Sequence, residues 1–337
     1  MWLGAIMGQM ARAGRDKLMI FVSDGLAGFG DWAEQLIAES TGKENKGILP
    51  IARAEVGKPR DYGTDRMFIY LKLEDDPSNA DIDKAVRTLR EAGHPRVTYL
   101  LPDKYAIAGE FFRWEYGTAI AGHMLGINAF DEPNVAEAKA NTDALLAAYK
   151  DTGKLPVQEP LIVEENIELY VNRAALTPLT ELCDAHGFSD DSLTDLLAAQ
   201  IIGTYAGDYF ALLAYAPYTP QVEAKLSELQ TRIRHLTRRA VTYGYGPRYL
   251  HSTGQLHKGG ANNGVFFLFT DEPQHHVPIP DADYDFGTLN AAQAAGDMQA
   301  LYNHKRRAIR LYANDGNIHA ALDALIEALS VVEERRK

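Results

Sequence analysis

Cysteine, long apolar runs and a secretion signal are scarce or missing in this 337-residue chain. Cys183 is the only cysteine, which excludes an intramolecular disulfide framework and is typical of a reducing compartment. We expect Cys183 to be a small core residue rather than a nucleophile. No apolar run reaches the roughly 18 residues of a membrane span, and Met1–Met7 lacks the basic start of a signal peptide. The sequence therefore predicts a cytoplasmic protein with no membrane partner.

Positive charge is also scarce. The 34 Lys and Arg residues against 46 Asp and Glu residues give a formal net charge of −12. Binding to a phosphate backbone needs clustered Lys and Arg, so a nucleic-acid partner is not expected. The sequence contains neither Gly-x-x-x-x-Gly-Lys-Ser/Thr nor Gly-x-Gly-x-x-Gly between a strand and a helix, the two glycine motifs that bind phosphate. Gly25–Gly30 resembles such a motif only weakly. The spacing of His251, His257, His275 and His276 matches no metal-ligand pattern, so we expect no metal and no cofactor.

The order of apolar runs and helical patterns predicts the fold class. Strand-like runs such as 18–23 and 66–71 alternate with helical patterns such as 82–92, and the connections are short. This order favours an α/β fold, a three-layer sandwich with a mainly parallel sheet. The chain length favours two domains. We expect a first α/β domain over 1–150, a proline-containing linker over 151–166 and a second α/β unit over 167–337.

A polar segment over 250–260 stands between two strand-like runs, 239–243 and 265–269. Such a segment needs hydrogen-bond partners if it is buried, so we expect it to line a solvent-filled cleft. His251 opens the segment and is a candidate proton shuttle, because histidine is the residue type suited to proton transfer near neutral pH. His257 is either its partner or a residue that flanks it. On this prediction the second α/β unit carries the histidine loop.

Glu39 lies where a helical pattern gives way to a glycine-containing loop. A carboxylate at a helix C-terminus opposes the macrodipole, which favours a raised pKa and a base that works near neutral pH. Gln35 is four residues earlier and shares the same helical face. The alternative for Glu39 is an ordinary solvated glutamate at a helix end.

Lys139 lies near the start of a helical pattern, whereas Glu39 lies near the end of one. Asn134 is expected to cap this helix, so the ammonium of Lys139 stands near a positive helix end. That pairing makes sense if an anion or a developing alkoxide lies between them. The alternative is a solvated lysine.

Three stretches together resemble the phosphoglucose isomerase family, in the form that is fused to transaldolase. They are residues 35–50, around Glu39; residues 125–139, closing on Lys139; and residues 250–255, with His251. The resemblance implies a sugar-isomerase (SIS) domain that interconverts glucose 6-phosphate and fructose 6-phosphate through a cis-enediol. It implies that Glu39 shuttles the proton between C1 and C2 and that His251, helped by Lys139, assists ring opening. It also implies that Gln35, Glu132, Ser252 and Gln255 contact the substrate.

Three departures from the family pattern shape the expected partners. The histidine motif follows the lysine here, whereas it precedes it in ordinary members, and Glu132 stands where the family usually has glutamine. The family's phosphate loop and its Gly-Gly-Arg stretch are missing. We therefore expect an upstream isomerase half as a partner, with a transaldolase domain and a homodimer as further possibilities, and poor turnover by this chain alone. The alternatives are a non-catalytic sugar-phosphate-binding regulatory module and a purely structural partner of a transaldolase.

Overall fold

A computed structural model describes residues 1–156 and 158–336 of the chain. The α-helices of the described residues are α1 (Trp2–Arg12), α2 (Ala27–Thr41), α3 (Asn79–Glu91), α4 (Ile107–Leu125), α5 (Pro133–Thr152), α6 (Arg173–His186), α7 (Leu193–Ile202), α8 (Pro220–Thr237), α9 (Thr253–Gly259), α10 (Phe286–Asn303) and α11 (Ile318–Arg335). The strands are β1 (Lys17–Val22), β2 (Leu49–Ile51), β3 (Arg66–Leu73), β4 (Arg96–Leu101), β5 (Ile162–Glu164), β6 (Ile167–Tyr170), β7 (Tyr209–Ala214), β8 (Ala240–Tyr245), β9 (Gly264–Asp271) and β10 (Arg307–Ala313).

The chain folds into two compact units, and each unit is built from three separate segments of the sequence. The first unit contains Met1–Pro133, Thr237–Thr242 and His251–Ala261, and the second contains Asn134–Leu236, Tyr243–Leu250 and Asn262–Lys337. This division differs from the boundaries we expected. The second unit begins near the start of α5 rather than after residue 150, and the histidine segment, which we placed in the second unit, belongs to the first.

The sheet of the first unit is parallel throughout, in the order β2-β1-β3-β4. Leu18 and Ile20 of β1 face a core that includes Phe29 of α2 and Trp114 of α4. Side chains alternate between the two faces of a strand, so Tyr70 of β3 points to the other face, where its hydroxyl donates to Asn79 Oδ1 at the start of α3 at 2.7 Å. Helices therefore cover both faces, as buried parallel strands require.

The second unit has a six-stranded sheet in the order β5-β6-β10-β9-β7-β8. Strand β9 runs parallel to both β10 and β7, whereas β6 is antiparallel to β10 and to β5. The β5–β6 hairpin begins inside the stretch 151–166 that we expected to be a linker. The predicted α/β class with mainly parallel sheets is confirmed by these registers.

No helix within residues 1–156 and 158–336 combines the length and the apolar character needed to cross a bilayer.

Candidate functional site

Helix α2 positions Glu39 one turn after Gln35, close to the helix C-terminus. Ala33 and Ile37 are fully buried on the opposite side of this helix and hold it on the sheet. Thr41 Oγ1 donates to Ile37 O at 2.7 Å and accepts from Ile48 N at 3.0 Å. The end of the helix is thereby tied to the chain that enters β2, and Glu39 is held at a fixed distance from the loop that follows.

That loop is a tight turn over residues 43–46. The backbone N–H groups of Lys43 and Lys46 donate to each other's carbonyl oxygens at 3.1 and 3.0 Å. Glu44 and Asn45 between them have φ values of +56° and +59°, the left-handed pair of a type I′ turn. The turn sends the Lys43 side chain inward, where only 2% of the residue remains exposed.

Lys43 joins the end of α2 to a second turn over residues 128–131. Its Nζ donates to Asp131 Oδ1 at 2.9 Å and also to the backbone oxygen of Asp131. Asn128 Nδ2 donates to Asp131 Oδ2 at 2.9 Å, so both carboxylate oxygens are held. The hydrogen bond from Lys43 lowers the pKa of Asp131. This ion pair fixes the chain at the residue immediately before Glu132.

Glu132 forms a carboxyl pair with Glu39. Burial, the hydrogen bond to Glu132 and the negative charge of Glu132 raise the pKa of Glu39 from 4.5 to about 7, against smaller opposing effects of Gln35 and Lys43. Because this hydrogen bond raises the pKa, it favours the protonated form of Glu39, which donates to the Glu132 carboxylate. Glu39 is half-buried, whereas Glu132 and Gln35 are exposed. The pair therefore faces solvent with a carboxyl group that loses its proton near neutral pH.

The histidine segment docks on the end of the Glu39 helix. Gln255 Nε2, in α9, donates to Gly42 O at 2.9 Å, and Asn45 N donates to Gly259 O at 2.9 Å. Leu256 lies so close that a Cβ on Gly42 would be 2.3 Å from its Cα. Gly42 is thus required by a close approach of two backbones. Glu39, Glu132 and His251, remote in sequence, all belong to the first unit.

The polar segment differs from the cleft-lining loop we expected. Most of it is the short helix α9, in which residues 253–258 are buried, including His257. Gln255 is fully buried and its amide holds Gly42, so the structure gives it a docking contact where we expected a substrate contact. His251, at the end of a 3₁₀ turn, is exposed, and Ser252 is half-buried. Of this segment, His251 has the greatest access to a solute.

Lys139 lies in the second unit. Helix α5 begins at Pro133, one residue earlier than the cap we expected at Asn134, so Lys139 falls in the second helical turn, where it is exposed.

Sequence reasoning missed the roles of Lys43, Asp131 and Gly42. All three occur in the stretches that carry the family resemblance, but nothing local shows that a lysine in a polar turn is buried against an aspartate 88 residues away. The signal that could have found them is the pair of glycines, Gly42 and Gly47, around the turn: Gly47 has a φ of +151° and also lies against Leu256. Among the described residues, no group of three or more His, Cys, Asp and Glu could hold a metal ion.

Comparison with known proteins gives partial matches. No family model matches the chain. The chain is 28% identical over 153 residues to the glucose-6-phosphate isomerase of Lactobacillus helveticus, covering 35% of this chain and 34% of that protein. It is 28% identical over 160 residues to the same enzyme of Pediococcus pentosaceus, covering 36% of each. The matched part thus spans about a third of the length of these curated relatives.

Among solved structures, a hypothetical protein from Thermus thermophilus aligns with 98% of this chain and 81% of its own, at 13% identity and a TM-score of 0.36. The C-terminal domain of glucosamine-fructose-6-phosphate aminotransferase from Francisella tularensis covers 97% of this chain and 85% of its own, at 9% identity and a TM-score of 0.27. The sequence similarity is the informative result: over part of its length, this chain is similar to glucose-6-phosphate isomerases.

Proposed function

We propose that the chain carries the proton-transfer site of an aldose–ketose isomerase that acts on glucose 6-phosphate and fructose 6-phosphate. The observation that supports this most directly is the placement of Glu39, where burial and then the hydrogen bond and charge of Glu132 raise the pKa of Glu39 to about 7. A base is most effective when its pKa lies near the working pH, because it is then both ionised and basic. The partial similarity to glucose-6-phosphate isomerases adds the substrate class.

The proposed reaction moves one carbon-bound proton and one hydroxyl proton. The Glu39 carboxylate removes the proton from C2 of the open-chain aldose; the electron pair of the broken C–H bond forms the C1–C2 double bond, the C1 carbonyl electrons move to O1, and the O2 hydroxyl proton passes to O1 of the cis-enediol intermediate. Glu39 then returns its proton to C1 as the electron pair on O2 forms the C2 carbonyl, which gives the ketose. The negative charge of Glu132 raises the basicity of Glu39. In this scheme Gln35 and Ser252 bind hydroxyl groups of the sugar.

Ring opening is assigned to His251. His251 is exposed and follows Leu250 at the point where the chain returns to the first unit, four residues before the Gln255 anchor. A neutral or protonated imidazole can exchange a proton with a ring oxygen near pH 7.

The proposal includes partners that supply the rest of an isomerase site. The matched segment is about a third of the known enzymes, and a phosphate dianion needs several donors for tight binding. We propose that an upstream isomerase half provides them, within a fusion with transaldolase or across a homodimer. Added separately, this upstream half should raise turnover by the chain.

The test is exchange of the C2 proton of glucose 6-phosphate with deuterated solvent, followed by proton NMR. Exchange catalysed by the wild-type chain should be lost in Glu39→Gln. The matched control is Glu91→Gln, because Glu91 is an exposed glutamate that also ends a helix; it should exchange at the wild-type rate. Equal exchange in Glu39→Gln and wild type would refute the role of Glu39. Saturable binding of the sugar phosphate without any exchange would instead identify a regulatory module.

A further inference from the structure

The second unit contains a cleft whose lining residues have no role in the proposed isomerase site. It has a volume of about 630 Å³, within the range of small-molecule sites, and its wall is formed by α5, α10, β10 and the chain before β5. Its polar lining residues are Asn141, Gln158, Asn172, Gln299, Tyr302 and Arg310. Among the described residues that line it, Arg310 is the only charged side chain, although the whole chain carries a formal charge of −12.

Arg310 is placed by the register of the sheet. It lies directly opposite Tyr170 of β6, and its guanidinium carbon is 4.0 Å from the centre of the Tyr170 ring and 5.8 Å from that of Tyr312. Stacking orients the guanidinium, and Arg310 also forms a side-chain hydrogen bond with Tyr170; a guanidinium has five N–H donors, so further hydrogen bonds in its plane are possible. Arg310 is therefore a preorganised donor in the floor of the cleft.

No carboxylate of the described residues forms an ion pair with Arg310. The negative charge of Glu168 acts on Arg310 through space. The two carboxylate oxygens of Glu168, however, accept hydrogen bonds from the Tyr170 hydroxyl and from Asn314 Nδ2. Burial lowers the pKa of Arg310. Removing a guanidinium from water without an anionic partner is costly, and the usual remedy is a hydrogen-bonded anion. An anion from solution fits this requirement.

The rest of the wall indicates which anion. A phosphate dianion is normally held by several cations or backbone N–H groups, whereas one guanidinium fork matches one carboxylate. The amide groups of Asn141, Gln158 and Gln299 each donate one N–H to a protein oxygen. Each amide has a second N–H and a carbonyl oxygen, a combination that suits hydroxyl groups. We propose that this cleft binds a small polyhydroxylated carboxylic acid, with its carboxylate on Arg310 and its hydroxyl groups on the surrounding amides.

The test is a calorimetric titration of the full chain with gluconate. Sorbitol is the matched uncharged molecule, because it differs from gluconate only by having a CH₂OH group in place of the carboxylate, and inorganic phosphate is the third probe. Gluconate should bind saturably and sorbitol should not. Arg310→Met should weaken gluconate binding by roughly tenfold or more, as expected for a lost charge-assisted pair. Arg232→Met, which removes an arginine from a surface pair with Glu333, should bind as the wild type does.

A second variant covers the case in which Arg310→Met does not fold. Gln299 is exposed on the rim, so Gln299→Glu adds a like charge beside the ligand without disturbing the core, and it should also weaken gluconate binding. Gln221→Glu adds the same charge at an exposed position of α8 outside the cleft and should not. The proposal is overturned if folded wild-type chain does not bind gluconate, if only phosphate binds, or if both cleft variants bind gluconate within about twofold of wild type. Glu39→Gln should leave gluconate binding unchanged, which separates this cleft from the proposed sugar-phosphate site.

Discussion

Replacement of Glu132 by glutamine tests the electrostatic origin of the raised Glu39 pKa. The variant keeps the size of the side chain and a hydrogen-bonding group but removes the negative charge. Both effects of Glu132 on Glu39, the hydrogen bond and the charge, raise the pKa, while the burial of Glu39 is unchanged by the substitution. We therefore expect the pKa of Glu39 to fall from about 7 while staying above its ordinary value of 4.5.

The size of the fall follows from the strength of a screened charge pair. Two unit charges about 4 Å apart interact by about 4 kcal/mol at an effective dielectric constant of about 20. Glu132 is exposed, so solvent and salt reduce this to about 1–2 kcal/mol. Because one pKa unit corresponds to about 1.4 kcal/mol, Glu132→Gln should lower the titration midpoint of Glu39 by about one pH unit.

The assay is a carbon-13 NMR titration of the glutamate side-chain carboxyl groups. The Glu39 resonance is assigned by its loss in Glu39→Gln, and the titration needs neither substrate nor activity. The Glu39 resonance should titrate at a lower midpoint in Glu132→Gln than in wild type. A Glu39 midpoint that moves by less than about 0.3 pH unit in folded Glu132→Gln would show that burial alone sets the pKa.

Three further perturbations have defined directions. Lys43→Met should raise the Glu39 titration midpoint in the same NMR assay, because the charge of Lys43 lowers the pKa of Glu39; no movement would contradict it. Gly42→Ala should destabilise the fold by about 1–3 kcal/mol in urea unfolding, since its Cβ would be 2.3 Å from Leu256 Cα, whereas Gly28→Ala, with no atom within 4 Å, should not. Because the pKa of Glu39 is raised in the folded state, its contribution to stability is present below about pH 4.5 and is lost as pH rises through about 7. The urea midpoint of wild type, measured relative to that of Glu39→Gln, should therefore decrease as the pH is raised from about 5 to about 8.

The fold class could be predicted from the sequence because its signals are local. The apolar run of β1, the helical spacing that ends at Gly42 and the short connections each depend on residues close together in the chain. Glu39 at a helix end followed from the same signals, and α2 ends at Thr41.

The long-range contacts could not be predicted in this way. The hydrogen bond from Gln255 to Gly42 joins residues 213 apart, and no periodic pattern encodes it. The polar segment 250–260 contains few apolar residues, so its composition suggested a solvent-lined loop; its burial depends on a neighbour that presents two glycines. The β5–β6 hairpin was missed because its strands have only three and four residues, too short for alternation to appear.

The carboxyl pair also has a cost for a dianionic substrate. Since Lys43 is already paired with Asp131, ionised Glu39 and Glu132 leave two negative charges near the sugar. Binding of a sugar phosphate should favour protonated Glu39, whereas removal of the C2 proton requires the carboxylate. For the proposed reaction, KM should therefore rise with kcat as the pH increases through about 7. In Glu132→Gln both profiles should shift to lower pH and KM should fall at neutral pH. A KM that does not change with pH in wild type would show that the substrate does not bind near this pair.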